Sequence, residues 1–116
     1  MTLEREWMRG AAPLAVLTLL DRREMYGYEL VEALERQSDG IFAMGQSTVY
    51  PLLYNLENKG HVEPFWERAE SGRRRKYYRI TEAGGRWLEA QQDQWARLVT
   101  ALRSLGVPDP DPREAT

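Results

Sequence analysis

Residues 46–60 combine an apolar stripe with a row of amide and hydroxyl side chains. The apolar residues recur at i, i+3, i+4 and i+7, which is the spacing of a helix that packs on a core: Val49, Leu52, Leu53 and Leu56. Amides, hydroxyls and small apolar groups are the groups that distinguish base edges in the DNA major groove. We therefore predict that the other face of this helix contacts DNA. Its predicted contact residues are Gln46, Ser47, Thr48, Tyr50, Tyr54 and Asn55.

Residues 72–79 place a run of cations beside aromatic residues. Between positions 68 and 79 there are six basic residues and one acid, Glu70. A flexible basic hairpin beside a major-groove helix meets the phosphate backbone or the adjacent minor groove by geometry. The cations predicted to contact DNA are Arg73, Arg74, Arg75 and Lys76. The neighbouring residues predicted to pack in the core or the hairpin are Tyr77, Tyr78 and Ile80.

Several aromatic residues have a structural interpretation as well. Tyr50 is expected either to contact bases or to pack its ring on the basic hairpin. Tyr26 and Tyr28 are expected to be core residues or hydroxyl anchors. His61 is the one histidine of the chain, and no cysteine accompanies it. We therefore predict no metal site.

The sequence carries no recognisable catalytic frame. It has no nucleophile elbow, glycine-rich phosphate loop or paired carboxylates at a known spacing. We accordingly predict that the protein is not an enzyme and uses no cofactor.

Composition limits the class of protein further. At 116 residues the chain is long enough for one domain, and the absence of cysteine excludes disulfides and thiol chemistry. The net charge is −2, but the acids lie mostly outside the basic segment, and a locally basic face on an acidic protein suits specific DNA binding. No apolar run reaches membrane-spanning length and the N-terminus is not a signal peptide, so a cytoplasmic location and no membrane partner are expected.

The preceding segments position the two candidate sites. Residues 8–21 are predicted to form a first helix, with Pro13 in or near its first turn or else bending it. Residues 26–37 are predicted to form a second helix. Its inward-facing residues are expected to be Tyr28, Leu30, Val31 and Leu34. The third helix should begin near residues 45–48, with Ser47 or Gly45 as its N-cap, and should end at Gly60 in a left-handed conformation.

A hairpin and a long helix complete the chain. Strands are predicted at 61–67 and 75–80, and alternation puts Arg75, Tyr77 and Arg79 on the face opposite to that of Lys76, Tyr78 and Ile80. The order of helix, helix, helix, strand, basic turn and strand is the winged-helix layout. Thr81 is expected to cap a last helix that runs to about residue 105, a length of roughly 35 Å.

The apolar stripe of this last helix extends beyond the reach of a small domain. An exposed stripe of this size is unusual on a soluble monomer, so we predict a homodimer. The predicted interface residues are Met8, Trp87, Leu88, Trp95, Leu98, Val99, Leu102 and Leu105. The predicted fold class is mainly α with a small β-hairpin (α+β), a winged helix-turn-helix followed by a long C-terminal dimerisation helix. The predicted divisions are a winged-helix DNA-binding domain at 1–80, the dimerisation helix at 81–106 and a disordered tail at 107–116.

Several motifs in this order resemble the PadR family of transcriptional regulators. They are residues 26–30 (YGYEL), 47–57 (STVYPLLYNLE), 60–62 (GHV) and 72–84 (GRRRKYYRITEAG). The resemblance covers about residues 8–105 and is closest to the short branch of the family, in which a single C-terminal helix dimerises with its mate and with the N-terminal helix. Some members of that branch bind flat aromatic compounds at the dimer centre. The resemblance places Trp95 at such a site. The polar gap in the apolar stripe at Gln91 and Gln92 favours the same position, and Trp7 is expected to line the same interface, so the predicted ligand-binding residues are Trp95, Gln91 and Trp7.

One departure from the family pattern concerns the third helix. The family commonly has basic residues in the second half of this helix, where this chain has Tyr54, Asn55 and Asn58. This difference shifts the expected phosphate contacts toward the basic hairpin.

These features lead to two hypotheses. The first is a homodimeric, sequence-specific DNA-binding transcriptional regulator, a ligand-responsive repressor that binds a pseudo-palindromic operator in double-stranded DNA and responds to a small planar aromatic effector. The alternative is a winged-helix protein–protein interaction module that does not bind DNA. The scarcity of cations in the third helix keeps this alternative open.

Overall fold

The computed structural model describes residues 3–109, which form four helices and a three-stranded antiparallel sheet. The elements in chain order are α1 (Arg5–Arg22), β1 (Met25–Tyr26), α2 (Gly27–Gln37), α3 (Gln46–Asn58), β2 (Val62–Arg68), β3 (Arg74–Ile80) and α4 (Glu82–Leu105). The strand order in the sheet is β1-β3-β2. The α+β class and the winged-helix arrangement are confirmed, although the predicted two-stranded hairpin is part of a three-stranded sheet.

The first helix is longer than predicted. It begins at Arg5 and not at residue 8, so Pro13 lies near its middle and not in its first turn. Proline has no N–H, and the carbonyl of Arg9 therefore loses its partner within the helix. Arg9 is solvent-exposed, and water can hydrogen-bond to this carbonyl.

The prediction that Tyr28 faces inward is wrong. The inward stripe of α2 is formed by Leu30, Ala33 and Leu34, and Tyr28 is 49% exposed. The helix begins at Gly27, because Tyr26 leaves it to pair with Tyr77 in the sheet. The Glu29 carboxylate accepts a hydrogen bond from the Tyr26 backbone N–H at 3.3 Å and fixes this start.

The third helix begins within the predicted window. Gly45, and not Ser47, is the N-cap, and Pro51 lies in the second turn. Gly60 has a φ of 77°, which confirms the predicted left-handed stop. Val49, Leu53 and Leu56 face the core.

The start of α4 is attached to the residues that follow α3. Thr81 caps α4 by accepting a hydrogen bond from the Gly84 N–H at 3.0 Å, and its hydroxyl donates to the Gly60 carbonyl at 2.6 Å. The Thr81 N–H donates to the His61 carbonyl at 3.0 Å. A Cβ at Gly84 would overlap this same His61 carbonyl, so only glycine allows the approach. We refer to these contacts among Gly60, His61, Thr81 and Gly84 as the α3–α4 junction.

The core lies between the sheet and the helices, and it includes only the first part of α4. Leu88 is buried within it at 3% exposure. The remainder of α4 continues to Leu105, where Gly106 ends the helix with a φ of 111°, as predicted. The molecule is correspondingly elongated, with extents of 54 × 29 × 22 Å.

Most of the predicted tail, residues 110–116, lies outside the described residues. Within residues 3–109, no helix has both the length and the apolar character needed to cross a membrane.

Candidate nucleic-acid interface

The outward face of α3 presents the predicted base-contacting side chains together. Every one of these residues is solvent-exposed: Gln46, Ser47, Thr48, Tyr50, Tyr54 and Asn55. Because the opposite face is anchored in the core through Val49 and Leu53, the helix cannot rotate these groups away from solvent without exposing buried leucine and valine.

Tyr50 has a structural contact that differs from the one expected. Its ring lies against Gly27 at the start of α2, so that a Cβ on Gly27 would overlap the ring. The predicted alternative contact was the basic hairpin. The ring therefore helps to set the spacing between α2 and α3, while Tyr50 as a whole stays exposed.

The register of β2 and β3 divides the hairpin into two faces. Trp66 pairs with Lys76 and Arg68 pairs with Arg74, and directly opposed residues of an antiparallel pair lie on the same face. We call the outer part of this face, formed by Trp66, Arg68, Arg74 and Lys76, the wing face. Its inner part continues into the core through Val62, Tyr78 and Ile80.

The opposite side of the sheet is an aromatic layer whose cations are engaged within the protein. Tyr77 stacks on Phe65 with ring centroids 5.5 Å apart and contacts Tyr26 edge-on at 5.5 Å. The Arg75 guanidinium lies 4.4 Å from the centre of the Tyr26 ring, and that of Arg79 lies 4.5 Å from the centre of the Phe65 ring. The predicted alternation of the return strand is confirmed, since Arg75, Tyr77 and Arg79 share this side.

Arg79 is further engaged by carboxylates. Its Nε lies 2.8 Å from Glu63 Oε1 and its Nη1 lies 3.5 Å from Glu24 Oε2. Because two carboxylates lie near this arginine, its electrostatic attraction to a phosphate is weakened.

Two cations of the wing face also lie near aromatic rings, but no carboxylate of the residues that the structure describes pairs with them as Glu63 and Glu24 pair with Arg79. The guanidinium of Arg74 lies 5.3 Å from the centre of the Trp66 ring, and Lys76 Nζ lies 5.6 Å from that of Tyr78. No ion pair involves Arg68, Arg74 or Lys76 among the described residues. Sequence reasoning assigned no role to Trp66, and the pairing that places it on the face of Lys76 comes from the register of β2 and β3.

Two titratable groups lie between the sheet and the helices. Burial raises the pKa of the Tyr78 phenol, and Lys76 acts in the opposite direction. Burial, followed by the charge of Lys59, lowers the pKa of His61. The His61 ring packs on Trp87 at 5.3 Å, and its Nδ1 is buried without a hydrogen-bond partner in the described part of the chain. His61 thus packs against Trp87, and no group of three potential metal ligands occurs among residues 3–109.

The structure corrects one of the residues predicted for the α4 interface. Leu88 belongs to the core of its own chain, because the first turns of α4 pack on α1. Trp87 and Met8 are half-buried and also pack against this core. The residues that stay accessible or partly accessible lie farther along the helix: Trp95, Leu98, Val99, Leu102 and Leu105.

The three predicted ligand-binding residues do not enclose a cavity in the single chain. Trp7 and Trp95 are exposed and Gln91 is half-exposed. Two surface depressions on α4 are lined by other residues. One is formed by Asp21, Glu82, Gly85, Arg86, Leu88, Glu89 and Gln92, and the other by Ala96, Arg97, Thr100 and Ala101. A pocket at Trp95 would therefore need walls from a second molecule.

Several solved structures of transcriptional regulators share this fold. A PadR family regulator from Eggerthella lenta is 36% identical, with a TM-score of 0.75 over 90% of this chain and 88% of that one. A PadR-like regulator from Bacillus cereus is 26% identical, with a TM-score of 0.79 over 90% and 99% of the two chains. The transcriptional regulator YqjI of Escherichia coli is 31% identical over 104 residues, which are 90% of this chain but 48% of that protein, so the chain spans about half of its length.

The fold and the exposed polar face of α3 thus define a winged-helix transcriptional regulator. Residues 16–90 match the transcriptional regulator PadR-like family, and the chain belongs to this family. The protein is accordingly a DNA-binding regulator of transcription and not an enzyme.

Proposed function

We propose that the protein is a homodimeric, ligand-responsive repressor that binds a pseudo-palindromic operator. The observation that carries this proposal is the exposed apolar stripe on the second half of α4. Trp95 is 57% exposed and Leu105 is 83% exposed in the single chain. A contiguous apolar surface on a soluble protein favours association, and a second copy of the same helix offers a complementary surface.

Two-fold pairing of α4 would set the distance between the two α3 helices and therefore the spacing of the operator half-sites. Each chain would contribute one α3 helix to a major groove and one basic hairpin to the flanking backbone. Half-sites are then expected about 34 Å apart, or a multiple of that distance, because the two grooves must lie on one side of the duplex.

The proposed effector is a planar aromatic molecule held between the two chains near Trp95, Gln91 and Trp7. An indole ring stacks on a flat aromatic ligand, and a glutamine amide can orient a polar substituent. Regulation would follow from differential binding: the effector favours one separation of the two α3 helices, and only one separation fits the operator.

Sedimentation equilibrium and gel-shift assays with the DNA upstream of the protein's own gene test this proposal. We expect a dimer at micromolar concentration, retardation of a specific duplex, and release when a planar aromatic effector is added. Quenching of tryptophan fluorescence by such compounds, lost in Trp95→Ala, would support the effector site. A stable monomer would contradict the proposal, and a dimer that retards no duplex would favour the interaction module. A reporter gene behind the same DNA tests the sign of regulation, since repression requires higher expression when the regulator is absent.

A further inference from the structure

The two faces of the β2–β3 hairpin differ in free charge. The side opposite the wing face carries Glu63 and Glu67 together with Arg75 and Arg79, so its acids offset its cations. The wing face carries Arg68, Arg74 and Lys76 and no acid. Only the wing face has the excess of positive charge that complements a phosphate backbone.

The wing face is also the side of the hairpin that adjoins α3. Its inner continuation, Val62 and Tyr78, is buried in the same core cluster as Val49 and Leu53 of α3. The wing face therefore lies on the side of the sheet that packs against α3. A duplex lying along α3 meets the wing face before the aromatic layer.

Trp66 stands among the three cations of this face. A single exposed apolar side chain is common and needs no explanation. Trp66, however, is 57% exposed and holds the Arg74 guanidinium over its ring, with Lys76 directly opposite on β3. An indole offers a flat apolar surface to a deoxyribose and an N–H that can donate to a phosphate oxygen.

We infer that the wing face is the surface of the hairpin that contacts DNA and that Trp66 is a DNA-contacting residue on it. This inference rests on the proposed function, since it concerns the same complex. It also separates the predicted basic residues, because Arg74 and Lys76 lie on the contacting face whereas Arg75 lies over Tyr26 on the other side.

Affinity for a mixed-sequence duplex, measured over a series of salt concentrations with the full chain, tests the role of Trp66. Trp66→Ala should weaken binding on the order of tenfold, the scale of an aromatic contact with nucleic acid, and should leave the salt dependence unchanged because no charge is removed. Trp66→Phe should recover most of the affinity. Tyr28→Ala, which removes an exposed aromatic side chain from α2, is the control and should bind as the wild type does. Thermal unfolding of each variant checks that the fold is intact, which is expected because Trp66 is not a core residue.

Arg74→Gln and Arg75→Gln form a matched pair, because they remove one cation from each side of the hairpin. Arg74→Gln should cause the larger loss of affinity and lower the salt slope by about one. Equal effects of the two changes would overturn the assignment of the face. Unchanged affinity in Trp66→Ala, a loss equal to that of Tyr28→Ala, or a fall in its salt slope would overturn the role of Trp66. If the wild type binds no duplex at all, the proposed function itself fails, and the two failures are therefore distinct.

Discussion

Residues of one type differ in what they can contribute to DNA binding, and the difference comes from their neighbours. Arg79 lies between Glu63 and Glu24 and over Phe65, whereas Arg74 contacts only the ring of Trp66 among the groups described above. Sequence alone shows two arginines in one basic segment. The distinction between the two arginines depends on β1, whose pairing with β3 brings the preceding residue Glu24 to the sheet.

At α3, we expect Asn55→Ala to change the sequence preference of the protein. An amide that makes two hydrogen bonds to one base discriminates by about 1–3 kcal/mol, so its loss should relax preference at one position of each half-site. Affinities for a set of single-base operator variants would measure this effect. Asn58→Ala, the same truncation at the last residue of α3, is the matched control and should alter the preference less. Uniform weakening on every variant by Asn55→Ala would argue against base contact.

The polar face of α3 was predictable because helical periodicity is a local property. Val49, Leu53 and Leu56 mark the inward direction, and the exposed residues follow from the geometry of the helix. Tyr28 and Leu88 were misassigned because their burial depends on the packing of α2 and α4 against other elements, which the local pattern does not specify. Trp66 was missed because its significance depends on its strand partner.

Between elements, the α3–α4 junction is the contact with the strictest steric requirement. The lack of a side chain at Gly84 allows α4 to start directly over the His61 carbonyl. Gly85, one residue later, has no atom within 4 Å of the position of a Cβ and provides a natural comparison.

We expect Gly84→Ala to destabilise the fold and Gly85→Ala to stabilise it. The added methyl group at 84 must displace a backbone carbonyl, a strain of roughly 1–3 kcal/mol that exceeds the usual gain from alanine in a helix. At 85 only that gain remains, about 0.5–1 kcal/mol. Urea unfolding at one fixed protein concentration would compare them. Similar stabilisation by both changes would show that the junction is not sterically tight.

His61 in the same junction should make stability depend on pH. Burial lowers its pKa in the folded state, so the unfolded state binds the proton more readily. The contribution of His61 to the free energy of unfolding is therefore present above the unfolded-state pKa of about 6.5. It is lost as the pH falls through the lower pKa of the folded state. Unfolding free energies between about pH 7.5 and 5 should fall more steeply in the wild type than in His61→Gln. Parallel curves would contradict a role for this histidine.

The elements themselves were predicted with uneven success for physical reasons. The end of α3 at Gly60, the Thr81 cap and the end of α4 depend on single residues with strong local preferences, and all three were correct. Strand β1 was missed because two residues carry no periodicity, and they become a strand only by pairing with Tyr77 and Tyr78. The start of α1 was placed too late because Pro13 was expected near a helix start, whereas it lies within the helix.

At the scale of the molecule, the part of α4 that lies beyond the core exposes apolar side chains that a partner chain would bury. We expect Leu98→Glu to convert the proposed dimer to a monomer, because it would bury a charge in an apolar interface. Thr100→Glu, on the opposite side of the same helix, is the control and should leave the dimer intact. Sedimentation equilibrium measures both, and gel shifts should show weaker operator binding only for Leu98→Glu. A dimer that persists in Leu98→Glu would place the interface elsewhere.

The α3–α4 junction also has a mechanical consequence for the proposed dimer. No flexible linker separates the two helices there, since Thr81 and Gly84 hold α4 directly on the residues that end α3. The two helices then move as one rigid unit, in which α4 is a lever arm about 36 Å long. A tilt of about ten degrees at the paired end would shift the other end by about 6 Å, close to the rise of two base-pair steps. A small molecule that wedges the paired ends slightly apart would thereby carry each α3 helix out of its groove.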